Sequence, residues 1–264
     1  MNPAGLLEVT AVRRPTPRTV RVTFTGAGGW ESWPDQQLKL LFPPPGHPVR
    51  LPAGDDDVMR WYQAYLAIPE DERPVMRSYT VRSRDGGTID VDFVLHSGGT
   101  DGPATAWART AAPGDVLGHY GPDAAYRRPV PKADTVLLAG DETAVPAIAT
   151  LLSEVDNAVV FVEVPDAAEE QPLPAEVHWL HRDGAAHGGL LLDAVRGASL
   201  GPGSVAAWLA GEAGMVRSLR RHLVNERGLD KHAIEFTGYW RRALTQDDAP
   251  TPEDLADARE KLGG

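Results

Sequence analysis

Apolar and polar positions change rhythm once along this chain. Over residues 6–25 and 38–42, runs such as VRVTF and LKLLF alternate or carry β-branched residues, the period-two pattern of strands with one buried face. Residues 43–57, PPPGHPVRLPAGDDD, break that pattern with prolines, glycines and acids and predict an irregular excursion. From Val75 to Ser97 two alternating stretches flank Asp85-Gly86-Gly87, a hairpin signal, and DVLGHYGP follows a turn at Pro113-Gly114. With ATAWARTAA (104–112) as the single helical candidate, these short punctuated strands predict a small antiparallel barrel.

The second rhythm begins after Arg127-Arg128-Pro129-Val130-Pro131, a proline-bearing linker that predicts domains at 1–131 and 132–264. TVLLAG (135–140), AVVFVEV (158–164), VHWLHR (177–182), SVAAWLAG (204–211) and AIEFTGYW (233–240) are apolar runs of buried-strand length. Helical patterns lie near 142–154, 189–197 and 213–227, which makes this half a parallel α/β sheet. TPEDLADAREKL (251–262) carries a Thr251 cap, Pro252 at the first helical position and acids in its first turn, a terminal helix. The expected fold class is therefore a two-domain β + α/β protein.

Composition narrows the chemistry. The chain has no Cys, which excludes disulfides, thiolate metal sites, iron–sulfur clusters and cysteine nucleophiles, so redox work needs a bound organic cofactor. The net charge of −11 is uneven: residues 1–131 hold 14 Lys+Arg against 15 Asp+Glu, and 132–264 hold 12 against 22. That field repels polyanions and argues against nucleic acid or an anionic membrane as partner. No stretch approaches the roughly 18 uninterrupted apolar residues of a membrane span, and the first residues lack a secretory pattern, so the expected location is cytoplasmic.

Ligands of parallel sheets sit outside the carboxyl ends of the strands, which directs attention to two turns. Gly140-Asp141-Glu142-Thr143-Ala144 and Gly211-Glu212-Ala213-Gly214 each follow a buried strand and open a helix, where glycine admits a close approach and free N–H groups attract phosphate. Neither G-x-G-x-x-G nor a Walker A loop occurs. In the first half, Arg77-Ser78-Tyr79-Thr80 lies on a strand with Arg77 and Tyr79 on one face and Ser78 and Thr80 on the other. A guanidinium clamps pyrophosphate, a phenol ring stacks on an isoalloxazine, and a Thr hydroxyl bonds its polar edge; the plain alternative is an ordinary barrel strand. Asp92, Val94 and His96 share one face of the next strand, and Gly102-Pro103-Ala104-Thr105 opens the barrel helix, so the set suits a dinucleotide such as FAD.

In order and spacing, RPVMRSYTVR (73–82), IDVDFVLH into GPATAWA (89–108), PGDVLGHYGP (113–122), LLAGDETAVPAIA (137–149), WLAGEAGMVRSLRRHL (208–223) and GYWRR (238–242) resemble the siderophore-interacting proteins. That family consists of flavin-dependent ferric-siderophore reductases in the ferredoxin-reductase-like superfamily. The resemblance implies an FAD-binding barrel and a nicotinamide-nucleotide-binding α/β domain, with NADH or NADPH reducing FAD and a ferric siderophore as substrate. It implies that Arg77, Tyr79 and Thr80 hold FAD, completed by Ser78, Asp92, Val94, His96 and the 102–105 turn. Asp141, Glu142 and Thr143, with Gly140, Ala144, Gly211 and Glu212, would border flavin and nicotinamide, and Tyr239-Trp240 would lie near the redox centre. Ser97 and Ala243 stand where the family commonly has Gly.

Other readings stay open. A reduced ferredoxin is an alternative donor, and a diaphorase acting on flavin or quinone is an alternative function. Glu163, at the end of the second α/β strand, would repel a 2′-phosphate and favour NADH, whereas Arg182 could bind one. Arg241 and Arg242 could attract an anionic chelate or simply pair with nearby carboxylates. Among eight histidines, His178 and His181 face opposite sides of a strand, His187 lies in a glycine-rich turn, and His222 and His232 read as solvated helix-end residues, so no metal site is expected. Asp55-Asp56-Asp57 reads as solvated surface.

Overall fold

The alternating stretches of the first half close on themselves. In the computed structural model, which describes residues 4–52, 57–95, 102–122, 127–242, 244 and 248–262, six antiparallel strands form a barrel in the order β1-β2-β5-β4-β3-β6. These are β1 (Ala4–Thr16), β2 (Thr19–Thr25), β3 (Gln37–Phe42), β4 (Val75–Asp85), β5 (Thr88–Val94) and β6 (Val116–Tyr120). The inward set of each strand, including Leu7, Val22, Phe24, Leu40, Val91, Phe93 and Leu117, fills the interior without solvent exposure above a few per cent. The expected hairpin is present: Gly86 and Gly87 join β4 to β5, with Asp85 opposite Thr88 and Gly86 at φ +57°.

The first half holds one more helix than its pattern predicts. Helix α1 (Val58–Leu66) starts at Asp57, whose carboxylate accepts bonds from Met59 N and Arg60 N, so this acid is a helix cap rather than loose surface. Trp61 and Tyr65, four residues apart, are buried with Tyr120 and Leu41, and the Tyr65 hydroxyl donates to Pro74 O at 2.8 Å. Asp55 and Asp56 lie outside the described residues. Helix α2 (Pro103–Thr110) is the expected one; Ala104, Ala108 and Trp107 seat it on the barrel core.

The continuous apolar runs form a five-stranded parallel sheet in the order β11-β10-β7-β8-β9. Its strands are β7 (Thr135–Asp141), β8 (Ala158–Val164), β9 (Val177–His181), β10 (Val205–Glu212) and β11 (Ile234–Trp240). Helices α4 (Gly189–Gly197) and α5 (Ala213–Asn225) cover one face, where Leu191, Val195, Met215, Leu219 and Leu223 meet Leu137, Ala139, Leu209 and Phe236. Helix α6 (Pro252–Leu262) begins as expected at Thr251, whose hydroxyl accepts from Asp254 N while Asp254 accepts from Thr251 N. No helix among the described residues is long and apolar enough to cross a membrane. The two-domain fold class, a barrel followed by a parallel α/β sheet, stands as read from the sequence.

By contact, the chain divides into two compact units less simply than a cut at 131. The first unit takes in Val145–Asp156 and Ala167–Pro174 along with everything up to Arg128, and the second holds the remainder. Helix α3 (Val145–Leu151), expected in the α/β domain, therefore belongs with the barrel, where Asp35 N donates to Thr150 Oγ1 at 2.9 Å. Segment 167–174 is fixed there by Glu169, buried, which accepts the Thr16 hydroxyl at 2.5 Å and Arg18 N at 3.0 Å.

Candidate functional site

In the barrel unit, the strand that carries Arg77-Ser78-Tyr79-Thr80 is paired, among the described residues, on one side only over those positions. Its ladder with β3 sets Arg77 opposite Leu40 and Thr80 opposite Gln37, but its ladder with β5 runs only from Asp85↔Thr88 to Val81↔Val91. The backbone of Ser78–Thr80 therefore offers an edge to something other than β5. Tyr79 is anchored beside that edge by Phe93, 4.5 Å away between ring centres, and by Phe42 at 6.3 Å. Burial raises the Tyr79 phenol above its ordinary pKa, so it stays neutral, while the positive charge of Arg77 only partly opposes that shift. Arg77 is half-buried, with one guanidinium nitrogen donating to Met76 O, and Ser78 accepts Lys39 Nζ at 2.6 Å.

Helix α2 shares those aromatic anchors. Trp107 lies 5.4 Å from Phe93 and 5.6 Å from Phe42, the two rings that Tyr79 also touches. Its cap is Gly102, which supplies no side-chain acceptor, and Pro103 follows at the first position, so the N–H groups of Ala104 and Thr105 have no side-chain cap. A dinucleotide with a flat ring and a diphosphate fits this donor set: an open strand edge, a guanidinium and an uncapped helix start.

Other expected barrel residues have different surroundings. Asp92 is buried and bound in a bidentate pair by Arg21, at 2.6 and 2.8 Å, with Arg82 Nε at 4.0 Å. Val94 ends β5 opposite Thr19. His96, with Ser97, lies outside the described residues, as does Ala243.

In the second unit, three strand ends converge on Asp141, which has no exposed surface. One carboxylate oxygen accepts both Thr143 N, at 2.9 Å, and the Thr143 hydroxyl; the other accepts Glu212 N at 2.8 Å and Trp240 Nε1 at 2.9 Å. Gly211 makes this possible: it sits at φ +134°, and a Cβ there would come within 2.5 Å of Asp141 Oδ2. Gly140 serves packing, since a Cβ would meet Ala144 Cβ at 2.4 Å and Ala210 O at 2.5 Å. Burial alone would push the Asp141 pKa up, but the His187 imidazole beside it and the donors of Thr143 and Trp240 outweigh it and hold the acid below the usual carboxylate value.

His187 is the residue the sequence did not offer. Its side chain is 8% exposed, with Nε2 3.3 Å from Asp141 Oδ2, and its ring meets the Trp240 indole edge-on at 5.1 Å. At that distance Nε2 is outside hydrogen-bond geometry, and Nδ1 is also buried without a partner. A histidine in a glycine-rich turn has no periodicity to mark it. His222, expected to be solvated, is 5% exposed: it shares the inner face of α5 with Met215 and Leu219 and bonds Glu226 at 2.9 Å. His232 is exposed as expected.

Glu163 and Arg182, weighed above against and for a 2′-phosphate, are bound to each other. Glu163 is fully buried and accepts Gly188 N at 2.7 Å and Leu191 N at 2.9 Å, the start of α4, with Arg182 at 3.4 Å. Arg182 in turn forms a bidentate pair with Glu142 at 2.8 and 3.0 Å. Glu212 caps α5 by accepting Met215 N. Tyr239 and Trp240 are half-buried at the end of β11. Arg241 pairs with Asp254 at 2.8 Å and donates to the carbonyls of Asp248 and Ala249, the internal pairing weighed above, while Arg242 is exposed.

Comparison with known proteins gives two family matches in tandem. Residues 8–126 match the model of the siderophore-interacting FAD-binding domain and residues 133–243 that of the siderophore-interacting protein. An uncharacterized protein of Mycobacterium tuberculosis is 36% identical over 271 residues, 93% of each chain. Ferric vibriobactin reductase of Vibrio cholerae is 31% identical over 257 residues, covering 92% of this chain and 91% of that one. A siderophore utilization protein from T. fusca, known by crystal structure, superposes with a TM-score of 0.78 at 40% identity, covering 93% of this chain and 95% of that one.

Proposed function

The chain belongs to the siderophore-interacting protein family, and from that premise we propose that it is an FAD-dependent ferric-siderophore reductase driven by a nicotinamide donor. The observation that carries this reading is the β4 edge over Ser78–Thr80, which no strand pairs among the described residues, joined through Phe42 and Phe93 to the uncapped start of α2. FAD, when bound, supplies an acceptor for two electrons that can be passed on one at a time. Arg77 would neutralise the diphosphate, the α2 N–H groups would bond its oxygens, and the Tyr79 ring would lie against the flat system. No acid or base of the chain needs to act on the iron: reduction to Fe(II) weakens its hold on hard oxygen donors, and the chelate lets go.

An anaerobic absorbance experiment tests this. Purified protein should carry oxidised flavin that bleaches with NADH or NADPH and recovers when a ferric hydroxamate or catecholate is added, as a ferrous trap develops colour. Bleaching that no ferric chelate reverses would exclude the siderophore substrate; protein that neither holds nor takes up flavin would end the proposal. Arg77→Ala should weaken FAD retention by about 10- to 150-fold, the loss of a charge-assisted bond of about 1.5–3 kcal/mol. Titration of the apoprotein with FAD measures it, and unchanged affinity would displace the diphosphate from Arg77.

A further inference from the structure

Asp141 is saturated. A carboxylate has about four lone-pair sites, and Thr143 N, the Thr143 hydroxyl, Glu212 N and the Trp240 indole fill them. The first three arise from the chain's own turns and would satisfy the acid with a water in the fourth place. The indole bond is different, because it reaches from the end of β11 to the end of β7 and fixes a side chain that stands half-exposed at the last residue of its strand. The bond at Nε1 sets where the indole points, and a ring packed against its face or edge sets its tilt. His187 bounds that tilt on one side: its ring meets the indole at an interplanar angle of 81°. It is kept there without any hydrogen bond, its Nε2 facing an oxygen that already has two donors.

We propose that Asp141 and His187 are positioning residues that clamp the Trp240 indole as a fixed wall at the carboxyl edge of the parallel sheet, against which the planar ring of the donor is oriented. Ligands of such sheets bind outside the strands' carboxyl ends, which is where β7, β10 and β11 bring these groups together. The clamp follows from geometry alone; its effect on the donor rests on the reductase reading above.

The test is spectroscopic first. The chain has seven Trp, so a proton–nitrogen correlation spectrum has few indole N–H signals, and Trp240→Phe identifies the one concerned. In Asp141→Asn that signal should move upfield, because its acceptor loses the charge, while the others stay. In His187→Ala it should broaden or double as the tilt is released. Steady-state reduction of ferricyanide, which needs no siderophore, then reads the effect on the donor. Both variants should lower kcat about tenfold with KM changed by less than about threefold, the signature of lost orientation. Asp141→Asn in the Trp240→Phe background should add nothing to the loss from Trp240→Phe alone. An indole signal unmoved by Asp141→Asn, or losses that add, would overturn the clamp; if Asp141→Asn does not fold, His187→Ala carries the same two readouts. Wild-type protein that neither NADH nor NADPH reduces would instead overturn the reductase reading, with the indole spectrum still deciding the clamp.

Discussion

Glu163→Ala is expected to destabilise the second unit by about 3–5 kcal/mol and to leave the ratio of kcat/KM for NADH and NADPH unchanged. The loss follows from what the carboxylate holds. It has no exposed surface, and its oxygens take Gly188 N, Leu191 N and one nitrogen of Arg182. Removing it leaves two buried N–H groups at the start of α4 without an acceptor and strips Arg182 of one of its two counter-charges. Burial opposes the Arg182 charge, but Glu142 and Glu163 more than offset it, so its pKa is raised rather than lowered. Its oxygens are occupied within the chain, so the choice between NADH and NADPH is expected not to depend on it. Denaturant unfolding of wild type and variant, with donor kinetics on the surviving folded protein, separates the two roles. A small stability loss with a changed donor ratio would return Glu163 to the ribose.

Glu163 also shows where sequence reading reaches and where it stops. Strands were legible because their signal is local: alternation for a barrel wall with one buried face, continuous apolar runs for a sheet buried on both. The 86–87 turn and the Thr251 start of α6 were legible for the same reason, each being set by residues within four positions. Helix α1 was missed because Asp57 ends a stretch of prolines, glycines and acids, and the following VMRWYQAYL declares itself only by Trp61 and Tyr65 meeting Tyr120 from a distant strand. Helix α3 follows β7 in the order expected of an α/β unit, yet its apolar residues pack with the barrel. Partners, unlike elements, are not written in local pattern.

The same limit explains the site. The open edge beside Tyr79 could not be inferred from R-x-Y-T, since it depends on the register at which the β4–β5 ladder stops. Asp141 and Glu142 drew attention rightly as the turn after a buried strand, but their carboxylates point into the protein, toward Trp240 and Arg182. Gly211 was read as room for a ligand; the group it admits is Asp141 Oδ2. Charge at a strand end is thus used here to lock three strand ends together.

Acidification is expected to cost the first unit roughly 3 kcal/mol through His119 alone. This residue on β6 is 4% exposed, with Trp30 edge-on at 4.9 Å, and its Nδ1–H donates to Gly121 O at 2.9 Å. Its Nε2 lies against Gly5, where even a Cβ would come within 2.8 Å. Burial accordingly pushes the His119 pKa down from 6.5 to about 4, against a smaller upward pull from the Gly121 bond. The folded value lies below the unfolded one, so the contribution is complete above pH 6.5 and drains away as pH falls toward 4. His119→Gln keeps a donor but does not titrate. It should therefore be less stable than wild type at neutral pH and draw level in acid, as urea unfolding across that range would show; parallel curves would mean that His119 titrates alike in the folded and unfolded states. The site feels this directly. Strand β6 pairs with β1 and β3, and β3 is the partner that holds Arg77–Thr80 in line, so flavin release on acidification should follow the His119 curve and flatten in the Gln variant.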